Sequence, residues 1–284
     1  MKSPLLILLL ASATAAAQQP VVAAAYAPPK DPTILASTFV DWDSLVAKPT
    51  AVSQVRQVFD NPTRTLDKLE VHITTLNPGQ ESHPVHRHPW EEMLLVKEGD
   101  FEVSINGVKH HAGPGSMVFF AANDPHNAKN VGATPATYYV INFVSDLSHD
   151  ADAKSAAERA VPGKLASSVI DTNALAQTPT PTGSRTSVVS SPTLTFLTLE
   201  SHITTLNAGQ STVAEMIDHN DEFVLIKSGD VEVNVNGVSS RMHAGSVLFW
   251  AADDKRSLHN LGATPASYQV IRVTTAKSPK PPTN

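Results

Sequence analysis

The chain contains two copies of one sequence unit, offset by 130 residues. HITTLNPGQ at 72–80 returns as HITTLNAGQ at 202–210, and GATPATYYVI at 132–141 returns as GATPASYQVI at 262–271, without a gap. Solenoid repeats have periods of about 20 to 50 residues, so a period this long indicates a duplicated domain. The sequence therefore predicts two domains of the same fold.

The two predicted domains account for most of the chain. We place the N-terminal domain at 31–147 and the C-terminal domain at 163–276, joined by a polar, alanine-rich surface linker at 148–162 that contains a short helix. The tail at 277–284 is expected to be disordered. Within the second domain, 178–192 is rich in Thr, Pro and Ser and is predicted to form a loop.

The N-terminus has the pattern of a secretory signal peptide. Lys2 provides a short charged region, 5–10 is apolar, and the small residues up to Ala17 offer an Ala-x-Ala cleavage site. The apolar part is too short to cross a bilayer, which takes about 20 residues. We therefore predict that residues 1–17 are removed and that the mature protein is periplasmic or secreted.

Composition narrows the class of protein. The chain is 41% hydrophobic and 17% charged, with a net charge of −6 and no cysteine. Without cysteine there is no disulfide framework, so the fold depends on its core. The sequence has no basic patch of the kind that phosphate binding requires, and we expect neither a nucleic-acid partner nor a membrane partner. The expected partner is a small-molecule substrate, and a homo-oligomer formed through the domain surfaces is a further option.

The first domain shows the pattern of antiparallel strands. The apolar run EMLLVKE occupies 92–98, and FEVSI at 101–105 is followed by Asn106 and Gly107, which suit a type I′ hairpin turn. A further apolar run, SMVFF, follows at 116–120. The predicted fold class is all-β.

Three histidines and one glutamate in this region form a candidate metal site: His86, His88, Glu92 and His126. Residues two apart in an extended segment point to the same side, so His86 and His88 can face one ion, and Glu92 has the same parity. The loop after SMVFF can bring His126 back over the first strand. Imidazoles and a carboxylate suit Mn, Fe, Co, Ni and Zn, and they leave positions free for a substrate or water. The alternative is that these are surface histidines or residues that merely stabilise the fold.

These motifs resemble those of a known family. The spacing H-x-H-x3-E-x6-G from His86 to Gly99, followed by H-x3-N from His126 to Asn130, is similar to the two motifs of the cupin superfamily. The resemblance implies two antiparallel sheets rolled into a jelly-roll, or double-stranded β-helix, barrel. It also implies that the two histidines of H-x-H, the glutamate and the later histidine are the metal ligands. With the repeat, the chain resembles a bicupin of the quercetin-dioxygenase-like kind.

The second domain lacks three of the four candidate ligands. At the equivalent positions Met216, Asp218 and Arg256 replace the histidines, while Glu222 keeps the glutamate. A guanidinium would repel a cation, so we predict one metal, in the N-terminal barrel. We also predict that Arg256 pairs with Glu222 or Asp218, because a buried unpaired carboxylate would be costly.

Two alternatives remain open for the second domain. His219 and His259 lie near these positions and could form a rearranged site, or Arg256 could bind an anionic ligand. The preferred interpretation is structural, with the metal-free copy supplying a partner surface for the first barrel.

His83 and Tyr139 are the candidate catalytic residues. His83 precedes the first ligand and could act as an acid or base, although a position on the rim is the simpler interpretation. Tyr139 corresponds to Gln269 in the second domain, and Asn142 corresponds to Arg272. Substrate contacts would differ in this way if one domain alone were active.

Other residues near the site have mainly structural interpretations. Trp90, Met93 and Phe119 could line the pocket or belong to ordinary core. Glu91 has the opposite parity to the neighbouring ligand and is expected to face away from the metal. His72 has a histidine counterpart in the second domain, which indicates a structural role.

The resemblance implies a metal-dependent enzyme, but cupins support many reactions. A dioxygenase-like oxidoreductase that holds one Mn or Fe, with Ni, Co or Zn as further options, and acts on a small oxygen-rich substrate is the first hypothesis. The second is a hydrolase similar to the bicupin ureidoglycine aminohydrolases. The third is a non-catalytic protein that binds a metal or a small ligand.

Overall fold

The protein is built almost entirely of strands. The structure, a computed structural model, describes residues 21–150, 152–159, 161–212 and 216–280. The predicted signal peptide at 1–17 lies outside these residues. Within them there are twenty-two strands, one α-helix and two short 3-10 helices, so the predicted all-β class is confirmed.

The first repeat unit and the segment before it contribute twelve strands and a 3-10 helix. The strands are β1 Val22–Ala23, β2 Thr38–Val40, β3 Lys48–Pro49, β4 Ser53–Asn61, β5 Lys68–Leu76, β6 His86–Arg87, β7 Glu91–Glu98, β8 Phe101–Ile105, β9 Val108–Ala112, β10 Ser116–Phe120, β11 His126–Asn130 and β12 Ala136–Val144. The 3-10 helix Trp42–Ser44 follows β2.

The linker and the second unit contribute the remaining elements. Helix α1, Ala156–Arg159, lies in the linker, and the 3-10 helix Thr172–Ala174 follows β13. The strands are β13 Ser168–Asp171, β14 Thr178–Thr180, β15 Gly183–Ser191, β16 Thr198–Leu206, β17 Asp221–Ser228, β18 Asp230–Val235, β19 Val238–His243, β20 Val247–Trp250, β21 Arg256–Asn260 and β22 Ala266–Thr274.

Each unit forms a jelly-roll barrel from two sheets. In the first barrel a seven-stranded sheet, β13-β10-β7-β12-β5-β4-β3, faces a five-stranded sheet, β1-β6-β11-β8-β9. In the second, the seven-stranded sheet β14-β15-β16-β22-β17-β20-β2 faces the three-stranded sheet β19-β18-β21. The predicted pair of tandem barrels is therefore what the chain forms.

The two barrels exchange one strand each. Strand β2 belongs to the first repeat unit but pairs antiparallel with β20 of the second barrel, where Phe39 lies opposite Leu248. Strand β13 belongs to the second unit but pairs with β10 of the first barrel, where Val169 lies opposite Val118. The boundaries of the sequence repeats therefore differ from the boundaries of the barrels.

The central strands of the large sheets, β7, β12 and β17, are buried on both faces along most of their length. In β12, Tyr138 and Val140 belong to a core inside the first barrel, whereas Tyr139 and Ile141 belong to a second core that both barrels share. Phe59 packs edge-on to Phe249 across this shared core, with ring centroids 6.3 Å apart. Alternate residues of the same strand thus serve two different purposes, one inside the barrel and one between barrels.

Two expectations about irregular segments need revision. The predicted loop at 178–192 instead contains all of β14 and β15, because β15 pairs along its length with β16. In the predicted disordered tail, Lys277 forms an ion pair with Asp67, and the backbone N–H of Ser278 donates to the Thr275 carbonyl oxygen. Residues 281–284 of the tail lie outside the described residues. The short helix expected in the linker is present as α1.

The predicted hairpin turn at Asn106 and Gly107 is present between β8 and β9. Both residues have positive φ, 51° and 79°, as a type I′ turn requires. Across the described residues, no helix has the length and apolar character needed to span a membrane.

Candidate metal centre

The structure brings the four candidate ligands together at the mouth of the first barrel. His86 lies on β6 and is the direct antiparallel partner of His126 on β11. Glu92 lies on β7 opposite Phe120 of β10. His88 follows β6 directly, so the smaller sheet presents the histidines and the larger sheet presents the carboxylate.

The four side chains converge on one point. One ligand atom from each lies within 4.8 Å of the others. The ring centroids of His86 and His126 are 4.5 Å apart, and those of His88 and His126 are 4.9 Å apart. The convergence expected from the spacing is therefore present in the fold, and the role of the four as metal ligands remains a prediction.

Backbone carbonyls fix the orientation of all three imidazoles. Nδ1 of His86 lies 3.2 Å from the His126 carbonyl oxygen, Nδ1 of His88 lies 2.9 Å from that of Trp90, and Nδ1 of His126 lies 2.7 Å from that of Asp124. A carbonyl oxygen accepts only, so each Nδ1 carries the hydrogen. The Nε2 lone pairs are consequently directed at the common centre, as metal ligation requires.

Burial sets the charges of the centre. Burial, followed by the neighbouring histidines, lowers the pKa of His86 to about 4 and that of His126 to about 3. Burial alone would raise the pKa of Glu92, but the hydrogen bond with His88 and the charges of the nearby imidazoles lower it to about 2. At neutral pH the centre thus offers neutral imidazoles at His86 and His126 beside an ionised carboxylate at Glu92.

The donor set fits a divalent transition metal. Nε2 of His126 is buried and has no hydrogen-bond partner among the described residues, an arrangement that would cost about 1–3 kcal/mol without a ligand. Nε2 of His88 lies 3.1 Å from a Glu92 carboxylate oxygen. A hydrogen bond between these two atoms needs a proton that a bound cation would displace. Three nitrogens and one oxygen are a ligand set that Mn, Fe, Co, Ni and Zn accept.

The centre opens into a cavity of about 230 Å³. Its walls combine apolar side chains with a few polar groups, and besides the four candidate ligands they comprise Ala24, His72, Ser82, His83, Trp90, Leu94, Phe120, Asn127, Ala128, Tyr138, Val140 and Asn142. Phe120 stacks on the His126 ring with centroids 4.0 Å apart, and Trp90 stacks on His88 at 4.4 Å. Aromatic packing therefore holds two of the imidazoles in place.

The two candidate catalytic residues have different outcomes. His83 lines the cavity, and its ring centroid lies 3.9 Å from that of His86. Tyr139 does not reach the cavity: its ring is buried between the barrels, and its hydroxyl donates to the Gly245 carbonyl oxygen at 2.8 Å. The assignment of Tyr139 is corrected, because its neighbour Tyr138 occupies the inward-facing position of β12.

The other residues considered near the site divide between the cavity and the surrounding core. Trp90 lines the cavity, whereas Met93 and Phe119 lie in the core shared by the barrels. Glu91 faces away from the metal centre as expected, and its carboxylate accepts the backbone N–H of Leu194 at 3.0 Å. Burial raises the pKa of Glu91 to about 7.

Sequence reasoning missed His72 as a cavity residue. It lies on β5 and lines the cavity together with Asn142 of β12. The presence of a histidine in both domains suggested a structural role. The useful signal was the exchange of Asn142 for Arg272 in the second domain.

In the second barrel an ion-pair network occupies the equivalent position. Nη2 of Arg256 lies 2.7 Å from a Glu222 carboxylate oxygen and 3.9 Å from one of Asp218, so the predicted pairing is confirmed. Arg272 also pairs with Asp218 and with Glu200. These cations and carboxylates take the place of the metal centre of the first barrel.

The two histidines considered for a rearranged site lie apart from this network. His219 pairs with Asp253 at 2.6 Å, and His259 lies 2.8 Å from the Ser211 hydroxyl. Among the described residues, one further group has metal-compatible spacing: Asp41, Asp43 and His243, on the surface where the first unit meets the second barrel.

Comparison with known proteins agrees with this architecture. The family model described as Cupin domain matches residues 72–142 and 202–272. Among solved structures, the Bacillus subtilis oxalate decarboxylase studied for its Mn(II) centres is 16% identical with a TM-score of 0.63, covering 87% of this chain and 80% of that chain. The Lactobacillus farciminis oxalate decarboxylase formate complex is 15% identical with a TM-score of 0.63, covering 87% and 89%.

Two further similarities are to a solved structure of low sequence identity and to a curated protein that matches over a short segment. AerE from Microcystis aeruginosa is 12% identical with a TM-score of 0.63, covering 83% of this chain and 98% of that chain. At such identities the likeness of the solved structures shows the fold alone. A curated relative, the HTH-type transcriptional activator RhaS of Mannheimia succiniciproducens, is 35% identical over 52 residues, which is 18% of this chain and 19% of that protein.

Each family match spans 71 residues, so the two together cover 142 of the 284 residues, half of the chain. Each match lies within one of the two barrels, and the first match contains all four candidate ligands. The protein belongs to the cupin family and is a bicupin.

Proposed function

We propose that the protein is an exported metal-dependent enzyme that holds one divalent transition metal in its N-terminal barrel and acts on a small oxygen-rich substrate. A dioxygenase-like oxidation is the first reaction class. The observation that carries the proposal is the convergence of three carbonyl-oriented imidazoles and one carboxylate at the base of a cavity. Export is supported by the sequence pattern of residues 1–17.

Manganese is the first candidate for the metal. The nitrogen and oxygen donors suit several divalent ions, so the ligand set alone does not select one. The printed description of the Bacillus subtilis oxalate decarboxylase names Mn(II) centres in a protein with the same fold. Iron is the second candidate, and Ni, Co and Zn are further options.

Each protein group has a definable role in such a site. His86, His88 and His126 would hold the ion through Nε2, and Glu92 would supply the negative charge. A bound divalent ion supplies Lewis acidity and open positions for a substrate oxygen, water or dioxygen. Phe120 and Trp90 keep the imidazoles oriented and restrict water at their faces.

The cavity limits the size of the substrate. Its volume of about 230 Å³ is below the roughly 300–1,000 Å³ that is typical of sites for drug-sized ligands. Leu94, Phe120 and Val140 make part of the wall apolar, while Asn142 and His83 provide polar contacts. A compact molecule with two or more oxygens fits these walls best.

The test begins with the metal. The full chain is expressed with its leader, the exported protein is purified, and its metals are identified and counted. We expect close to one ion per chain, lost in His88→Ala and retained in His202→Ala, which removes a histidine of the second barrel. His243→Ala disrupts the surface group of Asp41, Asp43 and His243 and should leave the number of bound metal ions unchanged.

Activity is then screened with metal-loaded protein. The panel contains enol-type compounds with oxygen uptake as the readout, oxalate with carbon dioxide release, and ureides with ammonia release. Turnover should disappear on chelation and return with the metal. A purified protein without metal would contradict the proposal, and a metal-loaded protein without turnover across such panels would favour the non-catalytic alternative.

The hydrolase alternative predicts ammonia release from ureides in the same panel without oxygen uptake. Export is tested separately, by sequencing the N-terminus of the mature protein from cell fractions. A mature chain that starts at or after residue 18 and lies outside the cytoplasm is the expected result, and an uncleaved cytoplasmic chain would contradict export.

A further inference from the structure

One wall of the metal cavity carries a hydrogen-bonded chain that ends at a histidine. Nδ1 of His72 lies 2.9 and 3.1 Å from the two carboxylate oxygens of Glu70. The Asn142 side-chain N–H donates to a Glu70 carboxylate oxygen at 2.7 Å, and the Trp90 indole N–H donates to the side-chain oxygen Oδ1 of Asn142 at 2.8 Å. Gln57 donates to the other oxygen of Glu70 at 2.9 Å. Glu70 is therefore held in place from several sides.

This arrangement leaves one ring nitrogen of His72 for the cavity. In the described residues, the hydrogen bonds of His72 all involve Nδ1. Nε2 lies on the opposite edge of the ring, and the residue lines the same cavity as the four candidate ligands. A ligand that enters the cavity meets this nitrogen and the metal centre together.

The surroundings favour a positive charge on His72. Burial alone would lower the pKa of His72, but the hydrogen bond and charge of Glu70, with a contribution from Glu92, raise it. Lys30 is the charged group that opposes this effect. The neighbouring strands present the uncharged Gln57 and Asn142. Hydrogen-bonded to Glu70 through Nδ1, a protonated His72 keeps an N–H at Nε2 for a ligand.

The second barrel has the same histidine without this arrangement. Nδ1 of His202 is 4.0 Å from Glu200, and Glu200 pairs instead with Arg272 and Arg185. Burial, followed by the charge of Arg185, lowers the pKa of His202 to about 4. The histidine whose pKa is raised therefore lies in the barrel that has the candidate metal centre, and the histidine at the equivalent position of the other barrel has a lowered pKa.

We propose that His72 is the second anchor of the substrate: its Nε2–H binds an anionic oxygen, such as a carboxylate, of a molecule whose other end lies at the metal centre. This assignment rests on the proposed function and narrows its substrate class to small oxygen-bearing anions. Among the described residues that line the cavity there is no lysine or arginine. Apart from the candidate metal ligands, the cavity histidines are His72 and His83, and His72 is the one hydrogen-bonded to a carboxylate, that of Glu70.

The probe is oxalate, a small dianion with two carboxylates. The full chain is loaded with Co(II), and oxalate binding is followed by the visible spectrum of the ion and by calorimetry. His72→Gln should weaken oxalate binding by about tenfold or more, because one charge-assisted hydrogen bond is lost, with the affinity for Co(II) unchanged. His202→Gln is the matched control and should leave oxalate binding as it is.

A second variant and a pH series complete the test. Glu70→Gln removes the carboxylate that pairs with Nδ1 of His72 and should also weaken oxalate binding, because the charge that favours a proton on His72 is lost. In the unmodified protein the affinity should fall as pH rises through the pKa of His72, and this dependence should be absent in His72→Gln. A merely structural role of His72 would not produce that pH profile.

The outcomes separate this inference from the proposed function. A protein that binds no Co(II) contradicts the proposed function. A protein that binds Co(II) but shows equal oxalate affinity with and without His72, or no oxalate binding, overturns the anchoring role alone. Loss of Co(II) in His72→Gln, with Glu70→Gln binding oxalate normally, would likewise assign His72 a structural role.

Discussion

Replacing Arg256 by methionine should destabilise the second barrel, and the loss should grow with pH. The Arg256 and Glu222 side chains are 4% and 5% exposed and lie 2.7 Å apart. Arg256 also lies over the Trp250 ring, 5.1 Å from its centroid. Methionine keeps much of the apolar contact and removes the charge that faces Glu222.

The magnitude follows from the titration of Glu222. Burial raises the pKa of Glu222 to about 7 from an ordinary 4.5 even though Arg256 opposes the shift. An acid whose folded pKa lies above its unfolded pKa makes the fold less stable as pH rises between those two values. Without Arg256 the pKa of Glu222 in the folded protein rises further, since the pKa values of buried glutamates can reach about 9. Below pH 7 both proteins therefore lose stability with pH equally, and above pH 7 the variant continues to lose it.

The free energy of unfolding of Arg256→Met should thus fall below that of the unmodified protein by about 1.4 kcal/mol more for each pH unit above pH 7. At pH 9 the gap should be about 2.7 kcal/mol larger than at pH 7. This value is close to the roughly 3–5 kcal/mol measured when one partner of a buried ion pair is removed. The assay is urea unfolding at a series of pH values from 6 to 9, followed by circular dichroism. Asp218 also faces Arg256, and its pKa is lowered despite its burial, so it stays ionised throughout this range.

Two controls define the result. The double variant Arg256→Met with Glu222→Gln has no titrating carboxyl at this position and should lose the extra pH dependence. Arg241→Met, an exposed arginine in the same barrel, should behave like the unmodified protein. If Arg256→Met follows the pH dependence of the unmodified protein between pH 7 and 9, the reasoning about Glu222 is refuted.

Two other substitutions test the packing of the strands. Tyr139→Phe removes the hydroxyl that donates to Gly245 across the barrels and should cost about 1–3 kcal/mol in urea unfolding without changing the metal content; a drop in metal content would return Tyr139 to the metal site. Gly99→Ala places a Cβ 2.2 Å from the Cβ of Ala136 and should lower the melting temperature more than Gly107→Ala, which has a similar positive φ and nothing within 4 Å. Equal effects of the two glycine substitutions would show that the contact with Ala136 is unimportant.

The strands and the four-residue centre could be predicted from the sequence because their signals are local. Apolar runs, the Asn106-Gly107 turn and the parity of His86, His88 and Glu92 all follow from neighbouring residues. The conflict between Arg256 and a metal ion was equally visible, since it depends on charge and not on position in the fold.

The orientation of the large sheets could not be predicted in the same way. A period of two residues separates the faces of a strand, but it does not say which face lies inside the barrel when both are apolar. In β12 both faces are buried. Tyr139 and Tyr138 were therefore equally good candidates for the cavity, and the packing of the second barrel against the first decided between them.

The prediction of a loop at 178–192 was wrong for a related reason. Its threonines, serines and prolines are typical of loops, but β15 gains its hydrogen bonds from β16 and not from local preference. The hydrogen bond between His72 and Glu70 also depends on a residue distant in the sequence. Asn142 leaves Glu70 bonded to His72, whereas its counterpart Arg272 pairs with Glu200, which lies 4.0 Å from His202.

The reciprocal placement of β2 and β13 has a consequence for how the molecule is made. During synthesis, the first barrel cannot complete the edge beside β10 until residues 168–171 have emerged, and the second receives its own edge from residues 38–40, which emerged long before. Neither half can reach its final form from its own repeat alone. The duplication has therefore produced an interlocked molecule in which the copy without a metal centre contributes to the integrity of the barrel that has one.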